Sequence, residues 1–260
     1  MVRNSDCYAR TLNECEELIS EEHIISEALL DKTITCNFHN KEQTFTREEF
    51  TLPILCKKHN HYFHKIESHI VQFHRKLVDS LSMFEAIRNH TKQELDSVVY
   101  NKELKMPYKI SVNGWFLEKW LLKTAINYAF MMDETRRPRF NFEYLNKRLF
   151  ADEKLEFPYG LSVLRPPEQT NDKYSGGIFF DYAEDSKGIY TIVINLQGYI
   201  FLMLLPSDDT EKIIKDGFLW EGNVYKFDES IFYHSLGENQ QVMTSDNIPF
   251  TRTKLTFEWK

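Results

Sequence analysis

The distribution of cysteine and histidine constrains the fold of this chain more than any other feature of its sequence. All four cysteines lie in the first quarter of the 260 residues, and seven of the nine histidines lie between positions 23 and 74. The cysteines are Cys7, Cys15, Cys36 and Cys56. In a cytosolic protein, clustered cysteine and histidine indicate a metal site before they indicate disulfides. The N-terminal region is therefore predicted to carry the chemistry.

Composition predicts a globular protein with a proper core. The apolar share of 42% and the charged share of 27% are ordinary for a soluble domain. The longest apolar stretch, Tyr199 to Leu205, is too short to span a bilayer, and residues 1–6 lack the apolar segment of a signal peptide. These features predict a cytoplasmic protein without a membrane partner.

The charge pattern separates a basic segment from an acidic remainder. A formal net charge of -7 argues against a sequence-indifferent coat for DNA, because such proteins are usually basic. Lysine, arginine and histidine are nevertheless frequent between positions 57 and 76, which is compatible with a local surface for nucleic acid. The acidic half from about residue 160 has no basic stripe, and we expect that it does not bind DNA alone.

Periodicity predicts an α-rich first half. Residues 1–55 have the pattern of short helical or strand pieces, and apolar residues spaced three and four apart then predict a long helix over 58–89. Further helices are predicted at 115–132 and 142–150, after a short extended piece at 108–112. In the second of these three helices, Glu118, Lys119 and Lys123 are expected on a solvated face, with Trp115 and Trp120 in the core.

Strands predominate in the prediction for the second half. Segments 190–194 and 199–205 read as a hairpin, and further strands are predicted at 224–227, 231–234 and 255–259. We therefore predict an α+β protein in three parts. A metal module with the long helix covers 1–90, a helical connector covers 91–158, and a mainly β domain covers 159–260.

Two short segments in the metal module resemble a known family. Ser20 to Leu29 contains Glu-Glu-His-Ile-Ile, and Leu55 to Asn60 reads Leu-Cys-Lys-Lys-His-Asn. Together they resemble the signature of the HNH endonucleases of bacteria and phages, over roughly residues 7–70. The resemblance implies a ββα-metal, treble-clef-like module. It also implies an endonuclease that hydrolyses phosphodiester bonds in nucleic acid, with DNA favoured, and such modules often serve bacterial defence.

The resemblance assigns a role to each matching residue. His23 would be the general base that activates water, and Glu22 with the amide oxygen of Asn60 would bind a catalytic Mg²⁺ or Mn²⁺. Thr51 stands where the family has an asparagine that braces the loop of the base. The residues expected to contact nucleic acid at the start of the long helix are Lys57, Lys58, His61 and His64. For the two lysines, a helix start that is merely solvated is an equal alternative.

The zinc ligands implied by the resemblance depart from the usual pattern. Cys56 is followed three residues later by His59, where a second cysteine is commoner, and Cys7 is followed at that spacing by Arg10. Zinc accepts both thiolate and imidazole ligands. A structural Zn²⁺ site is therefore predicted, and the alternative is a set of small buried thiols without metal. Its ligands would be Cys7, Cys15, Cys56 and His59, with Cys36 as an alternative.

Three functions remain open at this point. The first is the endonuclease, favoured by the intact Glu22, His23 and Asn60. The second is a degenerate, non-catalytic HNH zinc module that binds nucleic acid or a protein partner, favoured by Thr51 and the altered zinc set. The third is a structural zinc site that only holds the long helix. The β-rich half lacks a nucleotide loop and a nucleophile elbow, and would bind a protein partner, contact the rest of the same chain, or bind a ligand that controls the nuclease.

Overall fold

A computed structural model describes the chain in separate stretches. They are residues 6–16, 18–29, 33–38, 41–89, 109–131, 140–151, 153, 155, 160–164, 178–184, 190–196, 199–204, 232–234, 242–243 and 254–258. These residues form a mixture of helices and strands, as an α+β class requires. Among the helices described, none is long and apolar enough to cross a membrane.

The first part of the chain contains two antiparallel strand pairs, which are followed by a long helix. After a 3-10 turn at Tyr8–Leu12, the elements are β1 (Ile19–His23), β2 (Thr33–Phe38), β3 (Lys41–Thr46), β4 (Thr51–Cys56) and α1 (Lys57–Asn89). β1 pairs with β4, and β2 pairs with β3. Because α1 begins at the residue after β4, side chains from the end of that strand and from the first helical turn lie close together.

The apolar spacing that predicted α1 is confirmed by its burial. Every third or fourth residue is in the core, as expected for one face of a helix. The buried residues on this face are Phe63, Ile66, Ile70, Phe73 and Leu77. The helix spans 57–89 against the predicted 58–89.

The helix α2 (Gly114–Met131) follows β5 (Lys109–Asn113) and packs against α1. Its start is fixed by Asn113, whose Oδ1 accepts the N–H of Phe116 at 3.0 Å. All residues of α2 from Leu117 to Ala129 are buried. A helix of this kind lies inside the core, and its amphipathic interpretation from the sequence is incorrect.

The predicted solvated face of α2 is therefore wrong, because three charged side chains on it are buried. Glu118 is 3% exposed, Lys119 is 2% exposed and Lys123 is fully buried. A charged group can be buried only where a partner compensates the lost hydration, and each of these groups has one. The partners are Arg148 for Glu118, Tyr62 for Lys119, and Glu22 with Glu67 for Lys123. Trp120 is buried as predicted.

One helix and seven strands follow in the described part of the chain. They are α3 (Phe142–Phe150), β6 (Gly160–Leu164), β7 (Ile178–Glu184), β8 (Tyr190–Leu196), β9 (Tyr199–Leu204), β10 (Phe232–His234), β11 (Val242–Met243) and β12 (Lys254–Glu258). A sheet in the order β10-β6-β9-β8-β7 is antiparallel throughout and contains the predicted hairpin as β8 and β9. The predicted strand at 224–227 lies outside the described residues.

Contacts between the two halves are extensive in the described part of the chain. β12 lies parallel to β5 in a second sheet, so a strand near residue 256 borders the one that precedes α2. The ring of Phe201 on β9 lies 6.2 Å from that of Phe73 on α1, within one continuous core. The division into parts at 1–90, 91–158 and 159–260 stays a prediction.

Candidate metal centre and cleft

Four potential metal ligands meet where β4 passes into α1. Cys7 and Cys15 flank the Tyr8–Leu12 turn, Cys56 ends β4, and His59 lies in the first turn of α1. The Nδ1 atom of His59 lies 3.1 Å from the sulfur of Cys56, 3.6 Å from that of Cys7 and 3.7 Å from that of Cys15. All four ligand atoms lie within 4.8 Å of one another.

These distances fit a tetrahedral metal ion. With a Zn–S bond of about 2.3 Å and a Zn–N bond of about 2.0 Å, sulfur and nitrogen ligands lie about 3.5 Å apart. The predicted cluster of three cysteines and one histidine is therefore confirmed as a group that could bind a metal such as zinc. Cys15 completes the group. Cys36 lies on β2, where it is paired with Gln43, and its side chain is outside the described residues.

Burial shifts the pKa of three of the four residues of this centre toward the neutral form. Burial raises the pKa of the Cys7 thiol to about 12 and also raises the pKa of Cys15. It lowers the pKa of His59, so the imidazole has a lone pair available near neutral pH. A metal ion would replace the thiol protons, as is usual for thiolate ligands.

The helix α3 supports the metal centre, a contribution that the sequence did not indicate. The ring of Phe150 lies 4.8 Å from that of His59. Asn146 donates from Nδ2 to the carbonyl oxygen of Tyr8 at 2.9 Å and to the hydroxyl of Thr11 at 2.8 Å. The histidine ring and the 3-10 turn beside Cys7 are thus both held from outside the metal module.

His23 and Thr51 lie next to each other on the paired strands. They are register partners at one end of the β1–β4 pair, and the His23 residue is half-buried. The hydroxyl of Thr51 donates to the carbonyl oxygen of Glu48 at 3.3 Å, so it braces the turn between β3 and β4. The two residues that the resemblance linked are therefore neighbours in space.

Asn60 lies toward the other end of β1. Its Nδ2 donates to the hydroxyl of Ser20 at 3.0 Å, and that hydroxyl donates to the carbonyl oxygen of Leu55 at 3.1 Å. Asn60 Nδ2 also donates to the carbonyl oxygen of Glu21 at 3.5 Å, and the pairing of β1 with β4 shifts register between Ser20 and Glu22. The described contacts therefore place Asn60 beside Ser20 and Glu21.

An open cleft of about 490 Å³ surrounds the start of α1. Its lining residues are Glu16, Ser20, Lys57, Lys58, Asn60, His61 and His64. The structure thus brings together all four residues expected to contact nucleic acid, next to Asn60. The rings of His61 and His64 lie 4.7 Å apart, and Lys58 pairs with Glu14 at 2.7 Å. The sequence did not indicate that Glu16 and Ser20 belong to this cleft.

Glu22 faces the core, where Lys123 binds it. Its side chain is 2% exposed and forms an ion pair with the fully buried ammonium of Lys123, which also lies 2.5 Å from Glu67 Oε1. Burial raises the pKa of Glu22 to about 7; Lys123 opposes this shift and Glu67 adds to it. The carboxylate is already neutralised and removed from water, so in this arrangement it does not fit a solvent-accessible Mg²⁺ site. Its role as a ligand stays a prediction.

The buried Glu22 should make stability fall as the pH rises through the neutral range. The folded-state pKa of about 7 lies above the ordinary 4.5, so the folded protein binds more protons between these values. Stability from this group is then complete below the unfolded pKa and is lost as the pH rises through the folded one. The expected loss is on the order of 1.4 kcal/mol per unit of pKa shift.

Urea unfolding of zinc-loaded wild type and Glu22→Gln at several pH values measures this effect. As the pH rises from about 5 to about 7.5, the free energy of unfolding of Glu22→Gln should increase relative to that of wild type. Histidines titrate in both proteins and cancel in the comparison. A difference that stays constant with pH would contradict the expectation.

No known protein family, curated protein or solved structure matches this chain. The resemblance to HNH nucleases therefore rests on the motif residues themselves. The cysteine and histidine cluster is compatible with such a module.

Proposed function

We propose that this chain is a metal-dependent endonuclease of the HNH type, which hydrolyses phosphodiester bonds in nucleic acid. DNA is the proposed substrate. One observation carries the proposal. A strand pair leads directly into a helix at a three-cysteine, one-histidine cluster, with His23 beside Thr51 on the strands and Asn60 in the cleft at the helix start. These are the parts that the motif residues imply.

His23 is the residue proposed to activate water. A neutral imidazole takes a proton well near pH 7. Lys57, His61 and His64 would hold phosphate in the cleft. Mg²⁺ or Mn²⁺, when bound, would stabilise negative charge on the departing oxygen, and Asn60 is the predicted ligand that lies in the cleft. Because Lys123 neutralises Glu22, we propose no catalytic metal ion at Glu22.

A second candidate is a zinc module that binds nucleic acid without cutting it. The ion pair between Glu22 and Lys123 favours this candidate, because it occupies the carboxylate that the family uses as a ligand. Thr51 in place of asparagine points the same way. The two candidates share the zinc centre and the cleft and differ only in cleavage.

A cleavage assay separates the two candidates. Zinc-loaded full-length protein is incubated with supercoiled plasmid or with single-stranded DNA, with and without added Mg²⁺ or Mn²⁺. The control without these ions uses untreated buffer, since a chelator would also remove zinc. Cleavage that depends on the added ion supports the endonuclease. Binding without cleavage of either substrate overturns it in favour of the second candidate.

Lys57 should contribute more to nucleic-acid binding than Lys58. Both line the cleft, but Glu14 already neutralises much of the charge of Lys58. Lys57→Ala should weaken binding and reduce the salt dependence of the affinity by about one released counterion. Lys58→Ala should have a smaller effect, and Lys76→Ala, an exposed lysine of α1 that is not part of the cleft lining, should have none.

Fluorescence anisotropy with a labelled duplex, titrated between about 50 and about 200 mM salt, measures these affinities. Equal losses for Lys57→Ala and Lys76→Ala would show that the cleft is not the binding surface.

A further inference from the structure

One face of α2 holds the segment that contains Glu22 and His23. Trp120, Lys123 and Asn127 follow one another at spacings of three and four, so they lie on the same side of the helix. Lys123 binds the carboxylate of Glu22, and Asn127 Nδ2 donates to the carbonyl oxygen of His23 at 3.1 Å. Trp120 Nε1 donates to the hydroxyl of Ser26 at 2.9 Å. These three side chains form what we call the β1 clamp.

The long helix is tied to the same contacts. The hydroxyl of Ser26 donates to Glu67 Oε1 of α1 at 3.0 Å, and Lys123 binds the same oxygen. The donors of this network are all paired, and breaking any of these contacts would leave a polar group without a partner in a low dielectric. β1, α1 and α2 are thereby fixed relative to one another.

All three side chains of the β1 clamp are fully buried, so water does not compete for their hydrogen bonds. Lys123 reaches β1 through the side chain of Glu22, whereas Asn127 reaches it through the backbone of the next residue. The clamp therefore holds the strand at the residue proposed to be the base and at its neighbour. The contact with Asn127 uses the backbone of His23 and not its side chain.

We infer that α2 positions the base: Lys123 and Asn127 are positioning residues that hold His23, and Glu22 serves as the anchor of this clamp. The kinetic part of this inference rests on the proposed function. A catalytic group that is displaced by about 1 Å can lose about 100-fold in rate. Loosening the clamp should therefore lower kcat and leave KM for nucleic acid nearly unchanged, since the cleft residues lie elsewhere.

Asn127→Ala tests the clamp, with Thr124→Ala as its matched control. Both side chains are fully buried on α2. Asn127 donates from Nδ2 to the carbonyl oxygen of His23 at 3.1 Å, whereas Thr124 Oγ1 has no hydrogen-bond partner within the described residues. Both substitutions truncate a buried polar side chain of the same helix, but only Asn127→Ala releases His23.

The experiment records the ring signals of His23 by NMR on zinc-loaded, histidine-labelled full-length protein, and cleavage kinetics on plasmid DNA. Asn127→Ala should shift and broaden the His23 signals and lower kcat about 10- to 100-fold, whereas Thr124→Ala should do neither. Unchanged His23 signals in Asn127→Ala, or equal changes in both variants, would overturn the inference. If wild type does not cut, the proposed function fails, and the NMR comparison still decides whether the clamp holds His23.

Lys123 needs a variant that keeps the core neutral. Lys123→Met alone leaves the buried Glu22 and the partly exposed Glu67 without their counter-charge, and we expect that variant to be strongly destabilised. The triple variant Lys123→Met, Glu22→Gln, Glu67→Gln removes all three charges together. It should fold and bind zinc, yet show altered His23 signals, and Lys123→Arg should keep the wild-type signals. Wild-type His23 signals in the folded triple variant would remove Lys123 from the inference.

Discussion

Removing zinc from this protein is expected to unfold its N-terminal part. The ligands come from three separate segments, and a metal ion would join Cys7 and Cys15 directly to the start of α1. Structural zinc commonly contributes an apparent binding free energy of about 10 to 16 kcal/mol. Excess chelator should therefore abolish the cooperative thermal transition of this region, and zinc should restore it.

Single substitutions localise the effect. Cys56→Ser should lower the zinc content and the melting temperature, because Cys56 lies 3.1 Å from His59 Nδ1 at the centre of the cluster. Cys36→Ser is the matched control, since Cys36 lies on β2 and four ligands of the cluster are already supplied by described residues. Elemental analysis and thermal melts measure both. Less than about a tenth of an equivalent of zinc in wild type, with folding indifferent to chelator, would contradict the assignment.

Replacing His23 by alanine is expected to abolish cleavage while the fold and the zinc content stay intact. Loss of a general base commonly costs about 10²- to 10⁴-fold in rate. His23 is half-buried on β1 and is not a member of the metal cluster. His74→Ala, a half-buried histidine on α1 outside the cleft lining, is the control. Initial rates on plasmid DNA, with zinc content measured on the same samples, give the comparison.

Neighbouring substitutions should behave differently from His23→Ala. Asn60→Ala should weaken the dependence on Mg²⁺ or Mn²⁺, and a higher ion concentration should partly restore its rate.

Glu22→Ala should instead lower stability, because it leaves Lys123 with less counter-charge in the core. Thr51→Asn, which restores the family's usual residue, should keep or raise activity. If His23→Ala cuts as fast as wild type, His23 is not the base and the endonuclease proposal fails.

Helices were predictable from the sequence because their signal is local. The spacing of apolar residues gave α1 to within one residue and α3 at its observed bounds of 142–150. In each, one face meets the core and the other meets water, which is the condition that produces such a pattern. α2 was predicted at 115–132 and is observed at 114–131, but its burial was not predicted.

The error on α2 arose because burial of a charge depends on distant partners. Glu118, Lys119 and Lys123 look solvated when only neighbours along the helix are considered. Their partners are contributed by β1, α1 and α3, far away in the sequence. The parallel pairing of β12 with β5 is non-local in the same way, and no turn or spacing in the sequence indicates it.

For the metal centre, residue types were enough to predict that a metal site exists, but the full set of ligands required the folded geometry. Clustered cysteine and histidine indicated a metal site, and Cys56 with His59 could be paired by their spacing on one helix start. The spacing of Cys7, Cys15 and Cys36 could not decide the remaining ligands. The 3-10 turn at Tyr8–Leu12 brings Cys15 back to within 3.7 Å of His59 Nδ1, and that turn decides the set.

The measurement that tests the central claim most directly is X-ray absorption at the zinc edge of the full-length protein. The account predicts a first coordination shell of three sulfur atoms at about 2.3 Å and one nitrogen at about 2.0 Å. Cys15→Ser should reduce the sulfur count by one, and Cys36→Ser should leave the spectrum unchanged. A shell of only oxygen and nitrogen, or a sulfur count that falls in Cys36→Ser and not in Cys15→Ser, would contradict the metal centre described above.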